Sequence, residues 1–165
     1  MPELDVYLRP LRIEDAKVSW RWRNNPEVWR NTGSAPTCHV TEEMEMAWAA
    51  KAVSNPSIRR YAICIRGSDR YIGNAYLGEF KDDSAVEEIF IGEPDLWGKG
   101  LGTKARAALY EIGRREYGVK TIFTNIRTRN VASLRSALKL GFREVTRDVE
   151  WVRLRKELLD SDGAS

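Results

Sequence analysis

Between Ala85 and Tyr117 the sequence changes character twice. Ala85 to Gly92 reads as a strand, Glu93 to Gly100 is rich in glycine and proline, and Leu101 to Tyr117 is a long helix with Leu101, Ala105, Ala108, Leu109 and Ile112 on one stripe. A strand, a glycine turn and a helix make an anion site. The first amides of a helix lack intrahelical partners and lie at the positive end of its dipole. Gly98, Gly100 and Gly102 remove side chains where an anion approaches the backbone. The amides of Gly98, Gly100, Gly102 and Thr103 are therefore expected to wrap a diphosphate, with Lys99 and Lys104 adding charge at the rim. The spacing matches neither Gly-x-x-x-x-Gly-Lys-Ser/Thr nor Gly-x-Gly-x-x-Gly, so neither a P-loop nor a dinucleotide fold fits. On local grounds alone the same glycines also suit a flexible loop.

The flanking segments predict the rest of the domain. Val6 to Pro10 is a short strand closed by proline, and Ile13 to Arg23 is a helix stopped at Asn24-Asn25-Pro26. Pro26 opens a short second helix through Trp29, and Gly33 to Cys38 is a loop. Thr41 is placed to cap a third helix running to about Val53. Arg60 to Arg66 and Tyr71 to Phe80 are strands divided by Gly67-Ser68-Asp69. After the long helix, stopped by Gly118, come a strand at Thr121 to Ile126, a helix at Ala132 to Leu140, and strands at Phe142 to about Val145 and Val149 to Glu157. This order predicts one mixed α/β domain over 1–165, with a core of about 6–158 and a tail at 159–165.

The chain's 165 residues, 42% of them apolar, suffice for a single core. The net charge of +3 is far from the footprint of a duplex-DNA binder, and no apolar run is long enough to span a bilayer. The N-terminus has no basic flank leading into an apolar core, and two scattered cysteines suit a reduced cytosol. A cytoplasmic protein with no membrane or nucleic-acid partner is the expectation. One histidine, His39, and the cysteines Cys38 and Cys64 argue against a structural zinc site, and no metal is expected.

A second segment, Asn130-Val131-Ala132-Ser133 followed by Lys139-Leu140-Gly141-Phe142, lies one strand after the long helix. Together with Trp97-Gly98-Lys99-Gly100-Leu101-Gly102 it resembles the GNAT superfamily of acyl-CoA-dependent N-acetyltransferases, from about Val6 to Leu158. The hallmark of that superfamily is Gln/Arg-x-x-Gly-x-Gly/Ala at a strand-to-helix turn, then an Asn-led helix ending in Lys-x-Gly-Phe. Leu8-Arg9-Pro10-Leu11 with Asp15, and Trp22-Arg23-Asn24-Asn25-Pro26-Glu27-Val28, look like the branch of ribosomal-protein and nucleotide-aminosugar acetyltransferases. The resemblance implies a single mostly antiparallel central sheet flanked by helices. It implies acetyl-CoA as donor and a primary amine as acceptor, in particular a nucleotide-linked amino sugar. A protein N-terminus, an aminoglycoside, and a non-catalytic acyl-CoA-binding module remain alternatives, and the resemblance leaves room for a homodimer.

The same resemblance places acetyl-CoA along Phe90, Ile91 and Gly92 and over Trp97, Gly98, Lys99, Gly100, Leu101, Gly102 and Thr103, with Asn130 and Ser133 beside it. A strand amide there polarises the thioester carbonyl. Trp97 stands where the family has Gln or Arg, and Ala137 where many members carry a tyrosine general acid, which excludes that acid at this position. The amine needs a proton acceptor. Glu87 and Glu88 are consecutive in a strand and point to opposite faces. With Ile89 and Ile91 taken as core, Glu88 shares the other face with Phe90 and is the first candidate, with Glu87 the second; for either, a solvated or ion-paired glutamate is the plain alternative. Trp22, Arg23 and Asn24 offer a stacking face, a phosphate ligand and an amide to the acceptor, and Asn125 is placed to flank the cleft. Tryptophan at helical spacing is also ordinary core, and Asn130 equally suits a helix N-cap.

Overall fold

A computed structural model describes residues 3–30, 32 and 35–158. The expected tail at 159–165, and part of the loop expected at Gly33 to Cys38, lie outside the described residues. Seven strands, β1 (Val6–Pro10), β2 (Arg59–Ile65), β3 (Tyr71–Lys81), β4 (Ser84–Ile91), β5 (Thr121–Arg127), β6 (Arg143–Arg147) and β7 (Trp151–Glu157), form one sheet in the order β1-β2-β3-β4-β5-β7-β6. All neighbours are antiparallel except β4 and β5. The helices are α1 (Ala16–Arg23), α2 (Pro26–Trp29), α3 (Glu42–Ser54), α4 (Leu101–Tyr117) and α5 (Val131–Lys139). This is the mixed, mostly antiparallel sheet flanked by helices that the sequence led us to expect.

Strand alternation sorts the two faces. Tyr61, Ile63 and Ile65 of β2 join Leu101, Ala105 and Leu109 of α4 and Ala137 of α5 in the larger core. Ala62 and Cys64, one residue out of phase, join Trp22 and Val28 of α1 and α2 and Ala52 of α3 on the opposite face. The sheet is thus a partition, with α4 and α5 on one side and α1 to α3 on the other.

Local chemistry sets several boundaries. Thr41 Oγ1 accepts from Met44 N at 3.2 Å and starts α3, while Gly118, at φ +64°, closes α4. The helix expected from Ile13 is divided: Ile13–Asp15 is a 3₁₀ turn, and α1 begins at Ala16. The buried Asp15 carboxylate receives Arg9 through two bonds of 2.7 and 2.9 Å and Arg12 N at 2.8 Å, which holds this tighter turn. The last strand starts at Trp151 rather than Val149, because Asp148 Oδ1 accepts from Glu150 N and Trp151 N at 2.8 Å each and makes a turn there.

Candidate active site

The parallel pair β4 and β5 is where the sheet opens. Their register runs for four rungs, from Ser84↔Thr121 to Glu87↔Thr124, and stops. Beyond it Glu88 to Ile91 and Asn125 to Arg127 diverge, and a cavity of about 890 Å³ lies in the gap. Its wall includes Phe90, Ile91, the glycine turn, Asn125, Asn130 and Ser133. Strands that separate leave backbone amides without a ladder partner, so a ligand with its own amides can take the place of the missing strand.

The glycine turn sits at one end of this cleft. Gly98 and Gly100 both have φ +76°, and Gly100 is the residue before α4. No atom lies within 4 Å of where a Cβ would stand on Gly98, Gly100 or Gly102, so the turn keeps open space above its backbone. Trp97, 38% exposed, donates its indole N–H to the Ile91 carbonyl at 2.8 Å. The indole thus fastens the turn to the end of β4, and its N–H is not free for a phosphate. The Leu101 side chain is buried in the core, so only its backbone faces the turn. Thr103 Oγ1 and Ser136 Oγ are 2.7 Å apart and tie the start of α4 to α5.

Two expected contacts, those of Lys104 and of the Gly92 amide, are engaged elsewhere. Lys104 Nζ is held by the Leu4 carbonyl at 2.6 Å and Glu3 at 3.1 Å, away from the turn, because the N-terminal segment crosses that side of α4. Lys99 is exposed and stands outside the cavity wall. The Gly92 amide donates to the Ile72 carbonyl at 2.7 Å, so β3 occupies it. Asn130 Oδ1 accepts from Ser133 N at 3.3 Å and caps α5 while lining the cleft. Asn125 lines it too, accepting from Arg153 at 3.2 Å.

The two glutamates divide between the faces. Glu87 points to the α4 side and is fully enclosed, with its carboxylate 3.7 Å from Arg106 Nε. Neither of its oxygens, nor Arg106 Nε, nor the Tyr110 hydroxyl, has a hydrogen-bond partner among the described residues. Burial pushes the Glu87 carboxyl up, opposed by the Arg106 charge and then by the Thr124 hydroxyl. It therefore lies at the wall of the larger cavity from the α4 side and does not reach the smaller cavity on the other face of the sheet, which Glu88 also lines. Glu88 is on the opposite face with Phe90, in a row across three strands: Arg60 pairs with Tyr76, and Tyr76 with Glu88.

That face forms the floor of a second cavity of about 300 Å³, roofed by Ser19, Trp22, Arg23, Trp29, Glu45 and Trp48. Glu88, Phe90 and Tyr76 line both cavities and mark where they meet. Glu45 is 2% exposed, accepts from Ser19 Oγ at 3.0 Å and lies 3.5 Å from Arg23 Nη1. Burial pushes its carboxyl up, with Arg23 the main opposing influence.

The expected trio Trp22, Arg23 and Asn24 separates. Trp22 is core: its ring packs on Tyr71 and Phe90 at centroid distances of 4.8 and 6.0 Å, and its N–H donates to Glu93 at 3.2 Å. Gly92 approaches the ring so closely that a Cβ there would sit 2.1 Å from it. Only part of the indole reaches the second cavity, so it offers no open stacking face. Arg23 lines that cavity. Asn24 lines neither cavity, because its amide is committed to Val40 N and Val40 O at 2.8 Å each and to Trp20 O at 3.1 Å.

Arg60, Tyr76 and Arg106 were not singled out in the sequence. Arg106 carried a readable signal, a charged residue one position from Ala105 on the apolar stripe of α4. Arg60 and Tyr76 reach the cavity only through strand pairing, which the sequence does not state.

The sequence model of the family described as acetyltransferase (GNAT) domain matches residues 5–143. The chain belongs to this GNAT family. Among curated relatives, it is 24% identical over 148 residues to an uncharacterized N-acetyltransferase p20 of Bacillus licheniformis, covering 87% of this chain and 83% of that one. Among solved structures it is similar to a Vibrio cholerae spermidine N-acetyltransferase in complex with CoA and spermine, with TM-score 0.81 and 18% identity over 93% of this chain and 95% of that one. It is also similar to an aminoglycoside acetyltransferase in complex with coenzyme A, with TM-score 0.75 and 21% identity over 93% and 95%. These structures share the GNAT fold with this chain. Among the described residues no group of three or more His, Cys, Asp or Glu is placed to hold a metal, and no helix is long and apolar enough to cross a membrane.

Proposed function

We propose that this GNAT domain transfers the acetyl group of acetyl-CoA to a primary amine. The observation that carries this reading is the continuity of two cavities at Glu88 and Phe90, one ending at the open glycine turn and the other roofed by α1 to α3. The turn offers amides and a helix N-terminus to the pyrophosphate, and the open edge of β4 from Glu88 to Ile91 receives the pantetheine arm and polarises the thioester carbonyl. Asn130 and Ser133 border the same arm. The acceptor amine arrives from the second cavity, and Glu88 takes its proton directly or through a water. Attack on the carbonyl then forms the amide bond and breaks the carbon–sulfur bond. Ala137 is buried in the core and supplies no proton, so the departing thiolate takes either the second proton, which the nitrogen sheds after attack, or one from water.

For the acceptor, a nucleotide-linked amino sugar remains our finer proposal within the amines. Trp22 and Asn24 no longer support it. Arg23 and the rings of Trp29 and Trp48 do, since they offer a cation and aromatic surface in the second cavity. The test is thiol release from acetyl-CoA across aminosugar nucleotides, N-terminal peptides and aminoglycosides, repeated with Glu88→Gln. Release with at least one amine, reduced about 100-fold or more by Glu88→Gln at unchanged CoA affinity, supports the reading. Full activity in Glu88→Gln removes Glu88 from the chemistry, and no release with any amine removes the function.

A further inference from the structure

The second cavity contains four charged groups, and their pairing is uneven. Glu45 has Arg23 and Ser19. Glu88 stands at the junction with the cofactor cleft. Arg60 lines the cavity with no carboxylate within ion-pairing distance among the described residues. Its Nε is buried without a hydrogen-bond partner. Its guanidinium is held by two rings, 5.2 Å from the Trp48 centroid and 5.0 Å from that of Tyr76. A guanidinium fixed on aromatic faces, facing a cavity and lacking an anion, is a preorganised receptor for one. Partial burial works against its charge, Tyr76 and the more distant Glu88 carboxylate offset only part of that, and an anionic ligand relieves the remaining cost.

We infer that the acceptor carries an anionic group, carboxylate or phosphate, several bonds from its amine, and that Arg60 receives it. This rests on the reading of the second cavity as the acceptor site. The spacing follows from the sheet. Arg60, Tyr76 and Glu88 are successive partners on β2, β3 and β4, so Arg60 and Glu88 are two strand spacings apart, about 10 Å between backbones. The guanidinium leans over Tyr76 and shortens that gap. The amine and carboxylate of an α-amino acid are one carbon apart and do not span it, whereas an ω-amino acid or an aminosugar phosphate does. A polyamine or aminoglycoside would place further positive charge beside Arg60, which has no ion-pair partner among the described residues, and Coulomb repulsion disfavours that.

The experiment compares twin acceptors in the acetyl-CoA thiol-release assay: 6-aminohexanoate against hexylamine and 1,6-diaminohexane, and glucosamine 6-phosphate against glucosamine. The expected result is a kcat/KM about tenfold or more higher for an anion-bearing twin. Which pair shows it separates carboxylate from phosphate. Arg60→Gln brings that ratio to about one, and Arg60→Lys keeps part of it. Equal use of the twins, preference for the diamine, or a ratio unchanged in Arg60→Gln overturns the inference. Tryptophan fluorescence, titrated with the same compounds in the presence of CoA, reads the site without turnover. Selective binding of the anion-bearing twins, lost in Arg60→Gln, supports the inference even if no amine is acetylated, in which case the proposed function alone fails. Indistinguishable titrations of the twins overturn it.

Discussion

Arg106 joins Glu87 to Ser133: its Nε lies 3.7 Å from the buried Glu87 carboxylate on β4, and its Nη2 donates to Ser133 Oγ on α5 at 2.9 Å. One side chain thus ties the wall of the larger cavity to the helix whose start borders it. Removing one buried partner leaves the other charge uncompensated. Arg106→Leu is expected to cost about 3–5 kcal/mol in urea unfolding, whereas the pair Glu87→Leu with Arg106→Met returns most of that stability. A double variant as unstable as the sum of its single variants would show that the two side chains act independently.

The same carboxylate predicts a pH dependence. Burial raises the Glu87 carboxyl above its ordinary 4.5, so the folded protein holds a proton that the unfolded chain releases. The stability from this linkage is fully present below the unfolded value and is lost as pH rises through the folded one. Glu87→Gln cannot titrate. The stability of the wild type relative to Glu87→Gln is therefore expected to rise as pH falls from neutrality toward 4.5. Chemical denaturation of both proteins along that pH series is the measurement, and a flat or falling difference contradicts the assigned direction.

Gly92 is required for space. A Cβ there would stand 2.1 Å from the Trp22 ring, so Gly92→Ala is expected to cost about 1–3 kcal/mol and to shift the tryptophan emission. Gly102→Ala, with no atom within 4 Å of its Cβ, is the internal comparison and is expected to hold or gain up to about 1 kcal/mol of stability. Equal melting temperatures for the two variants would refute the close approach of Gly92 to Trp22.

Asn24 and Arg23 are neighbours with different duties. Asn24→Ala removes a side chain that bonds Val40 N, Val40 O and Trp20 O, and is expected to lower stability by about 2–3 kcal/mol. Arg23→Ala is expected to raise the acceptor KM, and because it also leaves the buried Glu45 carboxylate without its ion-pair partner, KM is measured at a temperature where the variant is folded. An unchanged KM in Arg23→Ala would remove Arg23 from the acceptor site.

Features governed by short periods were legible in the sequence. Period-two alternation separated Glu88 and Phe90 from Ile89 and Ile91, and the Thr41 cap and the Leu101–Tyr117 helix follow local rules. What the sequence hid depends on distant pairing. The cleft exists because β4 and β5 part after Glu87 and Thr124, and they are joined through a 17-residue helix. Trp22 reads as a stacking residue until Tyr71, Phe90 and Gly92 close around it. Asn24 reads as a ligand until Val40, sixteen residues away, claims its amide. Arg60 acquires meaning only when α3 brings Trp48 over it and β3 brings Tyr76 beneath.

The central claim is that the glycine turn holds the pyrophosphate of the donor, and backbone amide NMR reads it directly. Titration with CoA is expected to shift the amides of Gly98, Gly100, Gly102 and Thr103 strongly. Pantetheine, which lacks the pyrophosphate, is expected to move only residues along β4 and near Asn130. Large CoA-induced shifts elsewhere, with the four turn amides unmoved, would contradict the account.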